Sequence, residues 1–206
     1  MTGDVPRQPR RRSPGADHGS DVLAHRRSLL CVAAAILLAT SAVRGAARNS
    51  ESSLSLVSSD EPGTKLIVTG TVVDTKGRPL AGAQLHVYQT DAAGSYTRER
   101  PMDEPHARLS GWLSTDAQGR FEFRTIRPGG YPKPLWLGGR ERKIPSHIHI
   151  DVSAPAHAQL KLQAVFADDP RLADPYWKDW VNRHHYPVLA VHSVGDTEAA
   201  TLEIVL

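Results

Sequence analysis

The segment RFEFRTI, residues 120–126, sets Phe121 and Phe123 against charged neighbours. That period of two is what a half-buried β-strand requires. LIVTGTVV, residues 66–73, is rich in β-branched residues, which pack well on a pleated surface. It runs directly into DTKGRPLAG, residues 74–82, a stretch dense in turn formers. Residues 83–89 alternate well enough for another strand, and STDAQG, residues 114–119, reads as a turn. Further strands are expected at 147–152, 159–166, 188–192 and 200–206, with one short helix over PYWKDWV, residues 175–181. Short strands broken this often by turns predict an all-β fold, an antiparallel β-sandwich with one short helix. Roughly 160 residues are enough to bury one independent core.

The N-terminal part reads differently. Residues 7–27 are rich in arginine, and residues 29–43 (LLCVAAAILLATSAV) are almost wholly apolar. That run is short for a bilayer span, which needs about 20 residues. A basic segment, a short apolar run and small residues after it are the marks of an export signal. Arg26 and Arg27 stand just before the apolar run, as in a twin-arginine signal. Ala42 and Ala47 both precede candidate cleavage points. The chain is thus expected to comprise a cleaved leader (1–47), a flexible Ser-rich linker (48–64) and a single sandwich domain (65–206). The product would be exported, periplasmic or secreted, with no stable membrane association after cleavage.

Charge and cysteine usage narrow the partners. Seven of the 25 Lys and Arg but only three of the 22 Asp and Glu precede residue 48, leaving 18 basic against 19 acidic residues. The basic balance belongs to the leader and gives no reason to expect a nucleic-acid partner. The only cysteine, Cys31, lies in the apolar run. The exported domain therefore has no disulfide and must be held by its core, or by a metal.

The chemistry concentrates in YPKPLWLGGRERKIPSHIH, residues 131–149. On a strand, His147 and His149 project from one face and Ile148 and Ile150 from the other. Two tyrosines sit in glycine-rich surroundings, in Gly94-Ser95-Tyr96 and in Pro128-Gly129-Gly130-Tyr131-Pro132. If these four converge, two phenolates and two imidazoles form a donor set that suits ferric iron, whereas zinc sites usually draw on His, Cys or carboxylate.

In order along the chain, Gly70-Thr71-Val72-Val73-Asp74 with Pro79-Leu80-Ala81-Gly82-Ala83, Tyr88-Gln89-Thr90-Asp91 leading to Gly94-Ser95-Tyr96, Arg127-Pro128-Gly129-Gly130-Tyr131-Pro132, Pro145-Ser146-His147-Ile148-His149 and Leu162-Gln163-Ala164 resemble the intradiol ring-cleavage dioxygenases. The resemblance covers about half of the chain and implies iron ligands at Tyr96, Tyr131, His147 and His149. It implies that Tyr131 is the axial ligand released when a catechol binds, that His149 is the other axial ligand, and that Gln163 lines the substrate pocket. The implied cofactor is Fe(3+), and the implied substrates are a catechol-type ring and O2. The ring would open between its hydroxylated carbons, through a cyclic anhydride, to a muconate-type diacid. A free phenol has a pKa of about 10, and a trivalent metal stabilises phenolate enough to deprotonate it at neutral pH. The oligomeric state is left open by the sequence, a homo-oligomer included.

The chain departs from the family pattern just before the histidines. The family often has an arginine immediately before the proline, and Ile144 stands there. Arg142 is the expected replacement, with Lys143 and Trp136 lining the pocket and Arg140 close by. The stretch between Tyr131 and His147 is also longer than the family norm. His184 and His185 beside Tyr186 are expected to be solvated, and His86, His106, His157 and His192 structural or exposed. Asp168 and Asp169 read as turn or capping residues. The competing expectation is an exported binding module of the transthyretin or carboxypeptidase-regulatory type, which shares the Gly-x-Val-x-Asp strand and the Pro-Leu-x-Gly-Ala turn. Such a module has no reason to gather Tyr96, Tyr131, His147 and His149.

Replacing Arg26 and Arg27 together by lysine should block export of the full chain, read as loss of the processed protein outside the cytoplasm. Unchanged export would rule out the twin-arginine route.

Overall fold

The computed structural model describes residues 51–206 except 101, 132 and 133. The expected leader, residues 1–47, lies outside the described residues. Two five-stranded sheets face each other. The first runs in the order β1 (Ser53–Ser55), β5 (Arg120–Ile126), β2 (Lys65–Val73), β12 (Thr197–Val205), β11 (His192–Val194). The second runs β10 (Val188–Leu189), β9 (Leu160–Phe166), β8 (His147–Ser153), β3 (Gln84–Gln89), β4 (Leu109–Ser114). A separate hairpin joins β6 (Leu135–Leu137) to β7 (Arg140–Arg142), and one α-helix, α1, spans Pro175–His184.

Alternation decides what each strand gives to the core. Leu66, Val68 and Val72 of β2, Phe121 and Phe123 of β5, and Leu202 and Ile204 of β12 point inward from the first sheet. Leu85 and Val87 of β3, Ile148 and Ile150 of β8, and Leu162, Ala164 and Phe166 of β9 meet them from the second. The opposite faces of β2 and β5 carry Lys65, Thr69, Thr71, Glu122 and Arg124, all partly or fully exposed.

The sandwich is not wholly antiparallel, contrary to expectation. β2 and β12 pair in parallel over nine residues, from Lys65 opposite Thr197 to Val73 opposite Val205. β1 with β5 and β9 with β10 are parallel as well. Parallel neighbours cannot be joined by a hairpin; β2 and β12 are far apart in sequence, so pattern alone does not reveal their pairing.

Part of the segment expected as a linker, 48–64, is strand instead. Ser53–Ser55 forms the edge strand β1, and Leu54 and Leu56 pack against the core. Glu61 accepts two hydrogen bonds from Arg108, at 2.7 and 2.8 Å. Serines hid a segment whose alternate leucines are its anchoring residues. The expected strand 188–192 resolves into β10 and β11, in different sheets. β4 and the β6–β7 hairpin were not foreseen, since Gly111 and the Gly138-Gly139 turn interrupt their patterns.

The helix begins where its sequence dictates. Asp174 caps it by accepting from the Tyr176 N–H at 3.0 Å, and Pro175 fills the first turn, where a missing N–H costs nothing. It runs past the expected Val181 to His184 and stops where His185 takes a left-handed conformation (φ 52°). Among the described residues, no helix is long and apolar enough to cross a membrane.

Gly70 marks the tightest point between β2, β5 and β12. A Cβ there would collide with the Leu202 carbonyl oxygen and lie 2.5 Å from the Phe121 ring. Gly70→Ala should therefore lower stability by about 1–3 kcal/mol through overpacking, read from urea unfolding midpoints. Thr69→Ala next to it, on the exposed face, should stay within about 0.5 kcal/mol of wild type.

Candidate metal centre

The register of the second sheet sets the site. Ile148 and Ile150 enter the core, so His147 and His149 must project from the outer face of β8. Tyr88 on β3 and Gln163 on β9 lie directly opposite His149. Despite facing outward, His147 and His149 are only 6% and 5% exposed. Tyr96 and Tyr131, from the connections that follow β3 and β5, lie over them.

Each connection delivers a tyrosine, and hydrogen bonds latch the two together. The Asp91 carboxylate accepts from the Ala93 and Ser95 N–H groups, both at 3.0 Å, an Asx-type turn that sets up Tyr96. The Gly129 N–H donates to the Asp91 carbonyl at 2.8 Å, and the Thr90 hydroxyl donates to the Gly129 carbonyl at 2.8 Å. A Cβ on Gly129 would sit 2.5 Å from the Ala92 carbonyl oxygen, so only glycine permits this approach. The Ser146 hydroxyl donates to the Pro128 carbonyl at 2.7 Å, and its N–H donates to Asp169 at 2.7 Å. The start of β8 is thereby tied to the loop that carries Tyr131.

The four side chains meet. Tyr96 Oη lies 2.9 Å from His149 Nε2 and 3.1 Å from Tyr131 Oη. His147 Nε2 lies 3.1 Å from His149 Nε2. The His147 Nδ1–H donates to the Pro145 carbonyl at 2.8 Å. Since a carbonyl only accepts, Nε2 of the neutral ring is left bare and faces the cluster. Tyr96 is 1% exposed, and Tyr131 is half-buried.

Burial governs the protonation of all four. It pushes both phenols up, Tyr96 further through its hydrogen bond with Tyr131 and Tyr131 against the opposing effect of that same bond. It pushes both imidazoles down, and His149, which also feels His147, falls to about 3. Alone, the quartet is neutral, with bare imidazole nitrogens crowded into a water-poor pocket. A cation relieves that crowding. The donor atoms lie 2.9–3.1 Å apart, close enough to share one ion bonded at about 2.0–2.1 Å. Among the described residues no three His, Cys, Asp or Glu side chains gather as a metal site. The donor set therefore depends on its phenols, which favours a hard trivalent ion such as ferric iron over zinc.

The other expected pocket residues are placed unevenly. Gln163 is half-buried on the same face as His149. Arg142 is committed elsewhere. Its Nε is 3.2 Å from the Asp174 carboxylate, its Nη1 donates to the Leu137 carbonyl, and its guanidinium lies 4.3 Å above the Tyr176 ring. The expectation that it faces the substrate is not met, because the β6–β7 hairpin uses it to fasten onto α1. Trp136 is 72% exposed on that hairpin, and Lys143 is exposed. Ile144 is buried, so the position before Pro145 is apolar in fact as well as in sequence. His184 stacks on Tyr186 at the exposed end of α1, apart from the site. Two further residues touch the site without having been foreseen. The Tyr88 ring stacks on His149 at 4.5 Å and 9°, and Tyr88 Oη donates to Glu104 at 3.2 Å. Strand alternation through His86 and Tyr88 carried a signal for the first; loop-borne Glu104 left none.

Fold and site together define a β-sandwich protein whose outer sheet face presents two histidines to two loop-borne tyrosines. The sequence model of the family described as dioxygenase matches residues 41–204. A catechol 1,2-dioxygenase of Candida albicans is 40% identical over 114 residues, covering 52% of this chain and 38% of that protein. The protocatechuate 3,4-dioxygenase beta chain of Burkholderia cepacia is 36% identical over 150 residues, covering 69% and 62%. Among solved structures, the dioxygenase domain of a dioxygenase–carbohydrate-binding protein fusion from Streptomyces sp. SirexAA-E is 31% identical with a TM-score of 0.56, covering 74% of this chain and 85% of that one. The catechol 1,2-dioxygenase of Pseudomonas arvilla C-1 shares the fold, with a TM-score of 0.62 at 24% identity, over 76% of this chain and 56% of that one. The chain belongs to the intradiol ring-cleavage dioxygenase family. It spans 38% of the length of the Candida enzyme and 62% of that of the Burkholderia beta chain.

An imidazole whose pKa is lower folded than unfolded stabilises the fold above the unfolded value, and that contribution is lost as the pH falls. The metal-free protein should lose stability as the pH drops from about 6.5 toward about 3, through His149. His147 adds with the same sign. Urea midpoints across that window should fall less steeply for His149→Phe than for wild type.

Proposed function

We propose that this domain is a non-haem ferric dioxygenase that opens a catechol-type ring between its two hydroxylated carbons, consuming one O2 and releasing a muconate-type diacid. The observation that carries the proposal is the meeting of Tyr96, Tyr131, His147 and His149 within hydrogen-bond distance of one another. These four would hold the iron. When bound, ferric iron would hold the catechol by both oxygens and act as an electron sink for its ring.

The chain's own residues divide the remaining work. Tyr131 is half-buried on a loop, whereas Tyr96 is fully enclosed, so Tyr131 is the phenol free to swing away. Once displaced, its Oη can accept a proton from an incoming catechol hydroxyl, a general-base role. His147, held by the Pro145 carbonyl, stays in place. Gln163 offers an amide beside His149, suited to hydrogen bonding a ring oxygen. Ile144 gives the pocket an apolar wall and no charge. In this reading the reaction takes place outside the cytoplasm, on the strength of Arg26 and Arg27 ahead of the apolar run.

The test is oxygen uptake by the iron-loaded protein against a panel of catechols, with product analysis to separate intradiol from extradiol opening. The expected result is a reddish protein that consumes one O2 per ring and yields a diacid. Tyr131→Phe should shift the visible band and lower turnover by about 10²-fold or more. A colourless protein with one iron per chain would remove phenolate ligation. A coloured protein inert toward every catechol would mark an iron holder without turnover, a reading that the commitment of Arg142 to Asp174 favours.

A further inference from the structure

His147 and His149 are held in different ways. The Nδ1–H of His147 is fixed by a backbone carbonyl. His149 has no such partner among the described residues. The polar atom facing its Nδ1 is Glu104 Oε1, at 3.7 Å. An imidazole on a strand can turn about its last torsion between two orientations, and only one of them aims Nε2 at the Tyr96 oxygen. Something must choose between them.

We propose that Tyr88 and Glu104 are positioning residues that lock His149 with Nδ1 toward the Glu104 carboxylate and Nε2 toward the metal. The proposal rests on the ferric reading above. Tyr88 stands directly across the sheet from His149, and its ring lies flat against the imidazole at 4.5 Å. That stack fixes the plane of the ring. The Tyr88 hydroxyl donates to Glu104 at 3.2 Å and holds the carboxylate beside Nδ1. A carboxylate there selects the tautomer with hydrogen on Nδ1 and strengthens Nε2 as a donor, as partners behind metal-bound histidines generally do.

The loop makes this coupling specific. Glu104 lies in the same connection as Tyr96, and the Arg108 N–H donates to the Tyr96 carbonyl at 2.9 Å. One loop therefore delivers a metal donor and the carboxylate that steers a second donor. Behind the pair lies a cavity of about 240 Å³ lined by His86, Tyr88, Glu104, Ser110 and Asp151 among others. The hydrophobic core is on the opposite side of the sheet. Truncating Tyr88 thus frees His149 to turn and leaves the core packing intact.

The test uses the full chain with Tyr88→Leu, Tyr88→Phe, Glu104→Ala and Glu104→Gln. Iron per chain is followed under chelator competition, alongside the visible absorption band and far-ultraviolet circular dichroism. Tyr88→Leu and Glu104→Ala should weaken iron retention by about 10- to 100-fold and shift the band, with circular dichroism unchanged. Tyr88→Phe keeps the stack and Glu104→Gln keeps an acceptor, so both should lose less. Wild-type retention and an unmoved band in all four variants would overturn the proposal while leaving the ferric reading intact. A wild-type protein that takes up no iron and stays colourless would remove the ferric reading, and this proposal with it. Should the two truncations misfold, Tyr88→Phe and Glu104→Gln decide: equal, wild-type retention in both counts against it.

Discussion

The pairing of β8 between β3 and β9 is the constraint from which the rest follows. It commits Ile148 and Ile150 to the core, and with side chains alternating, the two histidines can only face out. A slip of one residue would put both imidazoles into an apolar core and both isoleucines under the loops. Fully buried Ile148 and Ile150 make that slip expensive, each contributing about 1.5–3 kcal/mol by burial. The register that builds the core is thus the register that builds the site.

Sheet geometry alone yields only half of a donor set. The other half arrives on loops, and ordering a loop costs about 1–2 kcal/mol per residue in backbone entropy. The structure offsets this with hydrogen bonds between the loops themselves. Gly129 with Asp91 and Thr90 joins the two roof segments, and Ser146 with Pro128 and Asp169 joins that roof to the start of β8. Buried backbone groups must find partners in any case. Here the partners lie where they also fix the two tyrosines.

Much of this was legible in the sequence, and what was not has physical causes. Phe121 and Phe123 announced β5, and Asp174-Pro175 announced the start of α1, because both signals are local. The quartet was legible because its members sit in short, chemically distinctive strings. Parallel pairing of β2 with β12 was not, since nothing in either strand names a partner more than a hundred residues away. Leu54 and Leu56 were masked by the serines around them. Arg142 misled because spacing along the chain places a charge near the site, whereas the hairpin turns it toward Asp174 and Tyr176. Spacing says how far a side chain can reach and nothing of which way its hairpin folds.

The quartet is also where the fold works against its own stability. Tyr96 and both histidines are almost wholly buried, yet their polar atoms bond chiefly to one another. Desolvation holds the imidazoles neutral, as ligation requires, but it also holds the phenols protonated, which phenolate ligation opposes. Under the ferric reading, a trivalent ion at the site would reverse this for the phenols, because its field would favour the phenolates. The same burial that opposes the phenolates on their own would strengthen their hold on such an ion, since charges attract more strongly where water is excluded. Conflict between local chemistry and stability is expected at functional sites. In this domain it is confined to one sheet face, while the core on the other face remains apolar and well packed.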